Sequence, residues 1–358
     1  MRTIDVVVIG AGQAGLSAAY FLHRRGLVPH EQFVVLDGND GPGGAWRHRW
    51  PSLTLGGAHG IHPLPGLDLE VTDDMTERPS SEVVGDYFGR YEATFDLPVL
   101  RPVQVETVQE SGDGRLVVTT DAGRWATRGL VNATGTWTHP FWPRYPGMED
   151  FAGEQLHTAD YWSADEFAGR HVVVVGGGHS AVQHLLELAE VTTTTWVTRS
   201  PPAWRDTPFD VDARREAVGR VAERVAAGRR PQSVVAATGL AVTDEIAAAR
   251  ADGMLQRVGM FDRITPDGVA WDDGRFLAAD VILWATGFRH ALDHLAPLQL
   301  RDDNGGIRMD GTQVAGDPRI HLLGYGPSAS TIGANRAGRI AVRDLHRWLQ
   351  RDDTPAAA

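Results

Sequence analysis

A valine-rich segment that runs into a glycine-rich turn and then an apolar helix occurs twice in this chain, over Asp5 to Phe21 and again over His171 to Leu188. Strand, Gly-x-Gly turn and helix in that order open a doubly wound parallel unit. Two such units are therefore expected, and the 358 residues hold both, since about 100 to 200 residues make one domain. The fold class that follows is α/β with two Rossmann-like dinucleotide-binding domains.

The rest of the chain arranges itself around them. Arg78 to Phe95 reads as a helix started by Pro79 and Ser80, with Val83, Val84, Tyr87, Phe88 and Tyr91 as its apolar face. Alternating segments near Val103 to Val108, Arg115 to Thr120 and Trp125 to Val131 predict an antiparallel meander within the first domain, its first hairpin closed by Ser111-Gly112-Asp113-Gly114. His139 to Pro146, rich in proline and aromatics, reads as a linker. Thr192 to Thr198 is the expected second strand of the second unit, 212 to 252 is expected to be helical, and strands resume over Val258 to Ile264 and Val281 to Trp284. Ile320 to Leu349 reads as a strand, a small-residue turn and a helix returning to the first domain. The expected division is 1–145 with 290–358 for one domain and 150–285, inserted, for the other. The tail Asp352 to Ala358 is expected to be disordered.

Composition closes several routes. There is no cysteine, which removes disulfides, thiolate metal sites, dithiol redox pairs and cysteine nucleophiles together. Redox chemistry must use a cofactor. All 34 basic residues are arginine, so a lysine Schiff base cannot form. The net charge of −12 argues against a nucleic-acid partner. No run approaches the ~18 apolar residues of a membrane helix, and Val6 to Ile9 behind Asp5 reads as a buried strand rather than a signal peptide. A cytoplasmic protein that meets small molecules and no membrane is expected. The arginine-rich helix from 212 interleaves Asp212, Glu216 and Glu223 and reads as a salt-bridged solvent face.

Gly10-Ala11-Gly12-Gln13-Ala14-Gly15 has the Gly-x-Gly-x-x-Gly spacing directly after Val6 to Ile9. Such glycines permit the tight turn, the approach of backbone to a pyrophosphate and close packing of helix on strand. Phe33 to Leu36 then ends at Asp37, whose carboxylate can accept hydrogen bonds from ribose hydroxyls. The second turn is Gly176-Gly177-Gly178-His179-Ser180-Ala181, with alanine in place of the third glycine. Its second strand ends in Arg199 and Ser200 rather than an acid. A guanidinium pairs with a 2′-phosphate that a carboxylate would repel, so NADPH is favoured, with NADH as the alternative. Two dinucleotide sites without a cysteine suggest FAD in one and NADPH in the other.

These residues resemble the class B flavin-dependent monooxygenases, specifically the small bacterial flavin-containing monooxygenases. Gly43-Gly44-Ala45-Trp46 is similar to the family's segment beside the flavin. Phe151-x-Gly153-x-x-x-His157-x-x-x-Tyr161 is similar to its fingerprint. Ala133-Thr134-Gly135 and Ala285-Thr286-Gly287 stand where the family's chain crosses between domains. The resemblance implies FAD at Gly10, Gly12, Gln13, Gly15, Asp37, Gly43, Gly44, Trp46, Val105, Thr134, Gly135, Gly324, Tyr325 and Thr331. It implies NADPH at Gly176, Gly178, His179, Ser180, Arg199, Ser200, Thr286 and Gly287, and no metal. It further implies hydride transfer from NADPH to flavin and reaction with O2 as co-substrate. A flavin C4a-hydroperoxide would then insert oxygen into small sulfides, amines or ketones, by sulfoxidation with some Baeyer-Villiger activity. An NAD(P)H oxidase or quinone reductase on the same fold is the alternative, and a homodimer is a family-level expectation.

Gly56 and Gly57 stand where larger relatives carry a side-chain donor near the flavin, which makes His59 and His62 candidate replacements. Their loop offers no helical face for a metal. Trp204 and Arg205 are candidates for the space over the nicotinamide, with pairing of Arg205 to Asp206 or Asp210 as the competing reading. His157 reads as conformational rather than catalytic. Gly324-Tyr325-Gly326 would hold the flavin ribityl chain by its backbone, with Thr331 and Arg336 nearby.

Overall fold

The computed structural model describes residues 1–58, 61–205, 211–231 and 239–352. Two compact units emerge: Met1–Gly135 with Glu216–Val234 and His290–Ala358, and Thr136–Arg215 with Val235–Arg289.

The first unit opens with β1 (Arg2–Ile9), α1 (Gln13–Arg24) and β2 (Phe33–Leu36). Val6, Val7, Val8 and Ile9 are all buried, as a parallel strand covered on both faces requires. Val6 lies opposite Phe33 on β2 and opposite Gly129 on the other side. After α2 (Asp73–Thr76), α3 (Ser80–Thr94) buries Val83, Val84, Tyr87, Phe88 and Tyr91 at the expected helical spacing. Then come β3 (Val99–Leu100), β4 (Val105–Glu110), β5 (Leu116–Thr120) and β6 (Gly123–Asn132). β4, β5 and β6 form the antiparallel meander, and the same β6 pairs in parallel with β1.

The second unit carries β7 (Glu154–His157), β8 (Val172–Val175), α4 (His179–Leu188), β9 (Thr194–Thr198), β10 (Trp204–Arg205), β11 (Leu240–Ala241), the helix Asp244–Ala251, and β12 (Arg257–Gly259). β13 (Arg263–Thr265), β14 (Gly268–Ala270), β15 (Phe276–Ala278) and β16 (Val281–Trp284) follow. Its parallel sheet has the order β12-β9-β8-β16-β7, and β13, β14 and β15 make a separate antiparallel sheet. The single strand expected over Val258 to Ile264 is therefore two. Phe261, between them, turns into a core with Trp284 and Tyr145.

Back in the first unit, β17 (Met309–Asp310), β18 (Gln313–Val314) and β19 (Asp317–Leu322) extend its sheet in the order β17-β18-β19-β6-β1-β2-β3. The closing helix Thr331–Asp352 buries Ala337, Ala341, Val342, Leu345 and Leu349. A Cβ on its Gly338 would stand 2.7 Å from Ser17 Oγ, so the glycine sets how closely the helix lies on α1.

Three expectations are corrected. Glu216–Val234 groups with the first unit rather than with a continuous 150–285 block, because Val225 packs with Leu292, Leu295 and Tyr325. The stretch 212 to 252 is not one helix: Val211–Ala226 and Asp244–Ala251 are helical, while Leu240–Ala241 is a strand. Asp352 is helical, and the remaining tail lies outside the described residues. Among the described residues no helix is long and apolar enough to cross a membrane.

Candidate dinucleotide sites

In the first turn the glycines divide by what surrounds them. A Cβ on Gly15 would sit 1.8 Å from Gly10 O, and one on Gly10, at φ +95°, would sit 2.6 Å from Ala133 O. Packing forbids a side chain at both. Gly12 is different, since a Cβ there would meet nothing nearer than Gly44 Cα at 3.9 Å. Its missing side chain serves the outside, where a pyrophosphate could reach the backbone N–H groups at the start of α1. Gly44 in turn approaches Gly12, its own would-be Cβ lying 2.8 Å from Gly12 Cα. The Gly43-Gly44-Ala45-Trp46 segment is thereby seated on the turn. Trp46 is half-buried in the 3₁₀ turn Gly44–His48, with the Arg49 guanidinium 5.7 Å from its ring centre. Burial pushes Arg49 down to about 10, which leaves it charged at neutral pH.

Asp37, 5% exposed, follows β2. Its Oδ2 accepts from Arg101 Nε at 2.6 Å, and its Oδ1 from Asn39 Nδ2 at 3.3 Å. The other two Arg101 nitrogens grip both oxygens of Glu92 at 2.6 and 2.7 Å. Burial works against the charge on Arg101, but the bonds to Glu92 and Asp37 outweigh it and raise its pKa. Arg101 and Glu92 carried no motif and were not among the sequence-derived candidates.

The side-chain amide of Gln13, a flavin-site candidate at the start of α1, donates to Asn335 Oδ1 at 2.8 Å and to His62 O at 3.2 Å, while Asn335 Nδ2 donates to Pro63 O. Gln13 thus ties α1 to the closing helix and to the loop around His62. Val105 is buried at the start of β4. Gly324 sits at φ +72° with open space beside it, and the Tyr325 hydroxyl accepts from Ile307 N at 2.9 Å. Thr331 begins the closing helix, and Arg336 is exposed on it. Gly56 gives its N–H to Thr76 O at 2.9 Å, so neither its side chain nor its backbone has a donor to offer a ligand. His59 lies outside the described residues.

The two Ala-Thr-Gly turns are built alike. Thr134 Oγ1 donates to Ala291 O at 2.6 Å, and Ala291 N donates back to Gly135 O at 3.0 Å. Thr286 Oγ1 donates to Phe141 O, and Phe141 N donates back to Gly287 O at 2.9 Å. Gly135 and Gly287 have φ +66° and +79°, which favours glycine. Both threonine hydroxyls therefore use their protons within the protein. His157 joins the second of these turns: Ala159 N donates to Nδ1, so Nε2 carries the proton and donates to Gly287 O at 3.1 Å. Burial lowers the His157 pKa, against the pull of the Gly287 carbonyl and Asp160. A neutral imidazole with both nitrogens bonded to backbone holds chain geometry and has no proton to exchange with a substrate.

In the second turn a Cβ on Gly176, at φ +150°, would sit 2.2 Å from Ala285 O, whereas one on Gly178 would meet nothing within 4 Å. The division seen at Gly10 and Gly12 is repeated. Ala181 is fully buried in α4, so a methyl group fits where Gly15 of the first turn admits none. His179 and Ser180 are the first residues of α4, and Arg199 and Ser200 stand exposed after β9. Trp196, 1% exposed and carried by no motif, donates its indole N–H to Gly176 O at 2.6 Å. Trp204 meets Trp196 edge-on at 5.9 Å and lies under the Arg250 guanidinium at 4.8 Å. It therefore packs between Trp196 and Arg250. Arg205 is half-buried on β10, and Asp206 and Asp210, its expected partners, lie outside the described residues. Among the described residues no cluster of histidine and carboxylate side chains could hold a metal.

Residues 7–313 match the family model of the pyridine nucleotide-disulphide oxidoreductases. The flavin-containing monooxygenase of Stenotrophomonas maltophilia superposes with a TM-score of 0.82 at 37% identity, covering 98% of this chain and 100% of that one. The indole-3-pyruvate monooxygenase YUCCA1 of Oryza sativa subsp. japonica is 27% identical over 97% of this chain and 92% of its own. The uncharacterized oxidoreductase CzcO of Bacillus velezensis is 31% identical over 202 residues, and there the match spans only 56% of either protein. The family's disulphide chemistry has no thiol to use in this chain. With two glycine turns, a carboxylate after the first and an arginine after the second, the chain belongs to the pyridine nucleotide-disulphide oxidoreductase family and, within it, to the class B flavin-dependent monooxygenases.

Proposed function

We propose that this protein is an NADPH-dependent flavin monooxygenase that inserts one oxygen atom of O2 into small sulfides, amines or ketones. The observation that carries this reading is that Gly12 and Gly178 lack side chains where internal packing makes no such demand, one in each turn. Both cradles fit a dinucleotide. FAD is assigned to the first, where Asp37 Oδ1, held only by a long bond from Asn39, has a lone pair to accept from a ribose hydroxyl, and NADPH to the second, where Arg199 follows β9. Bound flavin supplies the two-electron chemistry: a hydride from NADPH, activation of O2, and return of the second oxygen atom as water. The chain's own part is to bind, orient and exclude water. Backbone N–H groups of the turns would hold the pyrophosphates, and the bonded pairs Thr134–Ala291 and Thr286–Phe141 hold the Ala-Thr-Gly turns in place. The lack of any cysteine supports a diffusible acceptor for the electrons, and the full-length likeness to the Stenotrophomonas enzyme supports oxygen transfer.

Purified protein incubated with NADPH, ¹⁸O2 and methyl phenyl sulfide should yield sulfoxide bearing one labelled oxygen by mass spectrometry. Consumption of NADPH to hydrogen peroxide alone, with sulfide, amine and ketone probes, would overturn the reading.

A further inference from the structure

We propose that Arg257 is a second cation for the adenosine 2′-phosphate of the nucleotide in the second unit. The proposal rests on the assignment of NADPH to that unit and adds a residue to it that no motif singles out. β12 lies parallel beside β9, with Arg257 opposite Trp196 and Gly259 opposite Thr198. Residues two apart on a strand and those directly across from them share one face of a sheet. Thr198, on that face, lies under the glycine turn: a Cβ on Gly177 would come within 3.9 Å of its Cγ2.

The Arg257 side chain runs up this face. A Cβ on Gly259 would lie 3.8 Å from Arg257 Nη2, so the guanidinium has travelled two residues towards the carboxyl end of the sheet. Ligands of open α/β sheets bind at that end. Gly259 leaves the lane open, and the residue following its partner Thr198 is Arg199.

Part of the guanidinium is also unspent among the described residues. Arg257 Nη1 is shielded from solvent yet hydrogen-bonds to nothing among the described residues, and the side chain forms no ion pair among them. A shielded guanidinium N–H left unmatched is costly unless a ligand completes it. A phosphate monoester carries nearly two negative charges and accepts paired N–H donors from a planar guanidinium. Arg199, exposed, supplies one cation screened by water, and Arg257, half-buried, supplies one screened less.

The test titrates the FAD-bound protein with adenosine 2′,5′-bisphosphate and with 5′-AMP, which differ only in the 2′-phosphate, by calorimetry. Wild type should prefer the bisphosphate. R257Q should weaken the bisphosphate about tenfold or more while leaving 5′-AMP unchanged, as loss of a charge-assisted pair predicts. R257K, which keeps the charge without the planar fork, should fall between them and decides the matter if R257Q does not fold. Unchanged bisphosphate binding in either variant, or equal loss of both ligands, overturns the role of Arg257. Equal binding of both ligands by wild type overturns the NADPH assignment itself.

Discussion

Arg101 donates Nε–H to Asp37 Oδ2 at 2.6 Å across 64 residues of sequence, and its remaining two nitrogens are held by Glu92. The three side chains are 11%, 6% and 14% exposed, so the charges are largely out of water. Arg101→Met would leave two acids close together in a poorly solvated place. Removing one partner of such a pair costs about 3–5 kcal/mol. The variant should unfold at markedly lower urea concentration than wild type and release flavin during gel filtration. Unchanged FAD retention would show that Asp37 keeps its place without Arg101.

The two kinds of glycine in the first turn separate stability from binding. Gly15→Ala drives a methyl group to within 1.8 Å of Gly10 O and should lower the melting temperature of the flavin-free protein. Gly12→Ala makes only an ordinary van der Waals contact, 3.9 Å from Gly44 Cα, so the flavin-free protein should melt as wild type does. Its FAD affinity, followed by flavin fluorescence quenching, should fall by about tenfold or more because the methyl group blocks the approach of pyrophosphate to backbone. Equal melting losses in the two variants would refute the division.

Several histidines titrate below their usual value because they are buried, His321 furthest, at about 4. Its Nδ1 bonds to the Thr312 hydroxyl within the first unit's sheet, at 1% exposure. The unfolded chain takes up that proton near pH 6.5, and the folded protein resists until about pH 4. Stability therefore falls as pH drops through that window and is unaffected by this group above it. A depression of this size corresponds to about 3 kcal/mol. His157, His171 and His346 are lowered in the same direction, so their smaller losses add on acidification. Urea midpoints measured from pH 7.5 to 4.5 should decline, and His321→Gln should decline less steeply than wild type.

What the sequence disclosed follows from which forces act locally. Continuous valine runs and glycine turns state their own geometry, so β1, α1, β2, β8, α4 and β9 stand close to where periodicity puts them. The meander was legible because alternation and a tight turn are also local. Partners brought together only by packing were not. Gln13 meets Asn335 across 322 residues, and Thr134 meets Ala291 across 157, so their side chains looked free for a ligand. Val258 to Ile264 looked like one strand because nothing in the order of its residues signals that Phe261 turns towards Trp284. Trp196 looked like one more bulky strand residue, although it holds the second glycine turn from beneath.

That hold gives the last prediction. Trp196 N–H bonds the Gly176 carbonyl at 2.6 Å, which keeps the oxygen turned into the protein and out of the space a negatively charged pyrophosphate would occupy. Trp196→Phe retains most of the ring's packing against Trp204 and removes only the donor. The orphaned carbonyl costs about 1–3 kcal/mol, and part of that can be recovered by turning the oxygen towards the nucleotide. The variant should keep its FAD and its kcat at saturating NADPH while the KM for NADPH rises several-fold. A rise in the KM for the oxidised substrate, or a fall in kcat alone, would mean that Trp196 acts elsewhere than on the turn.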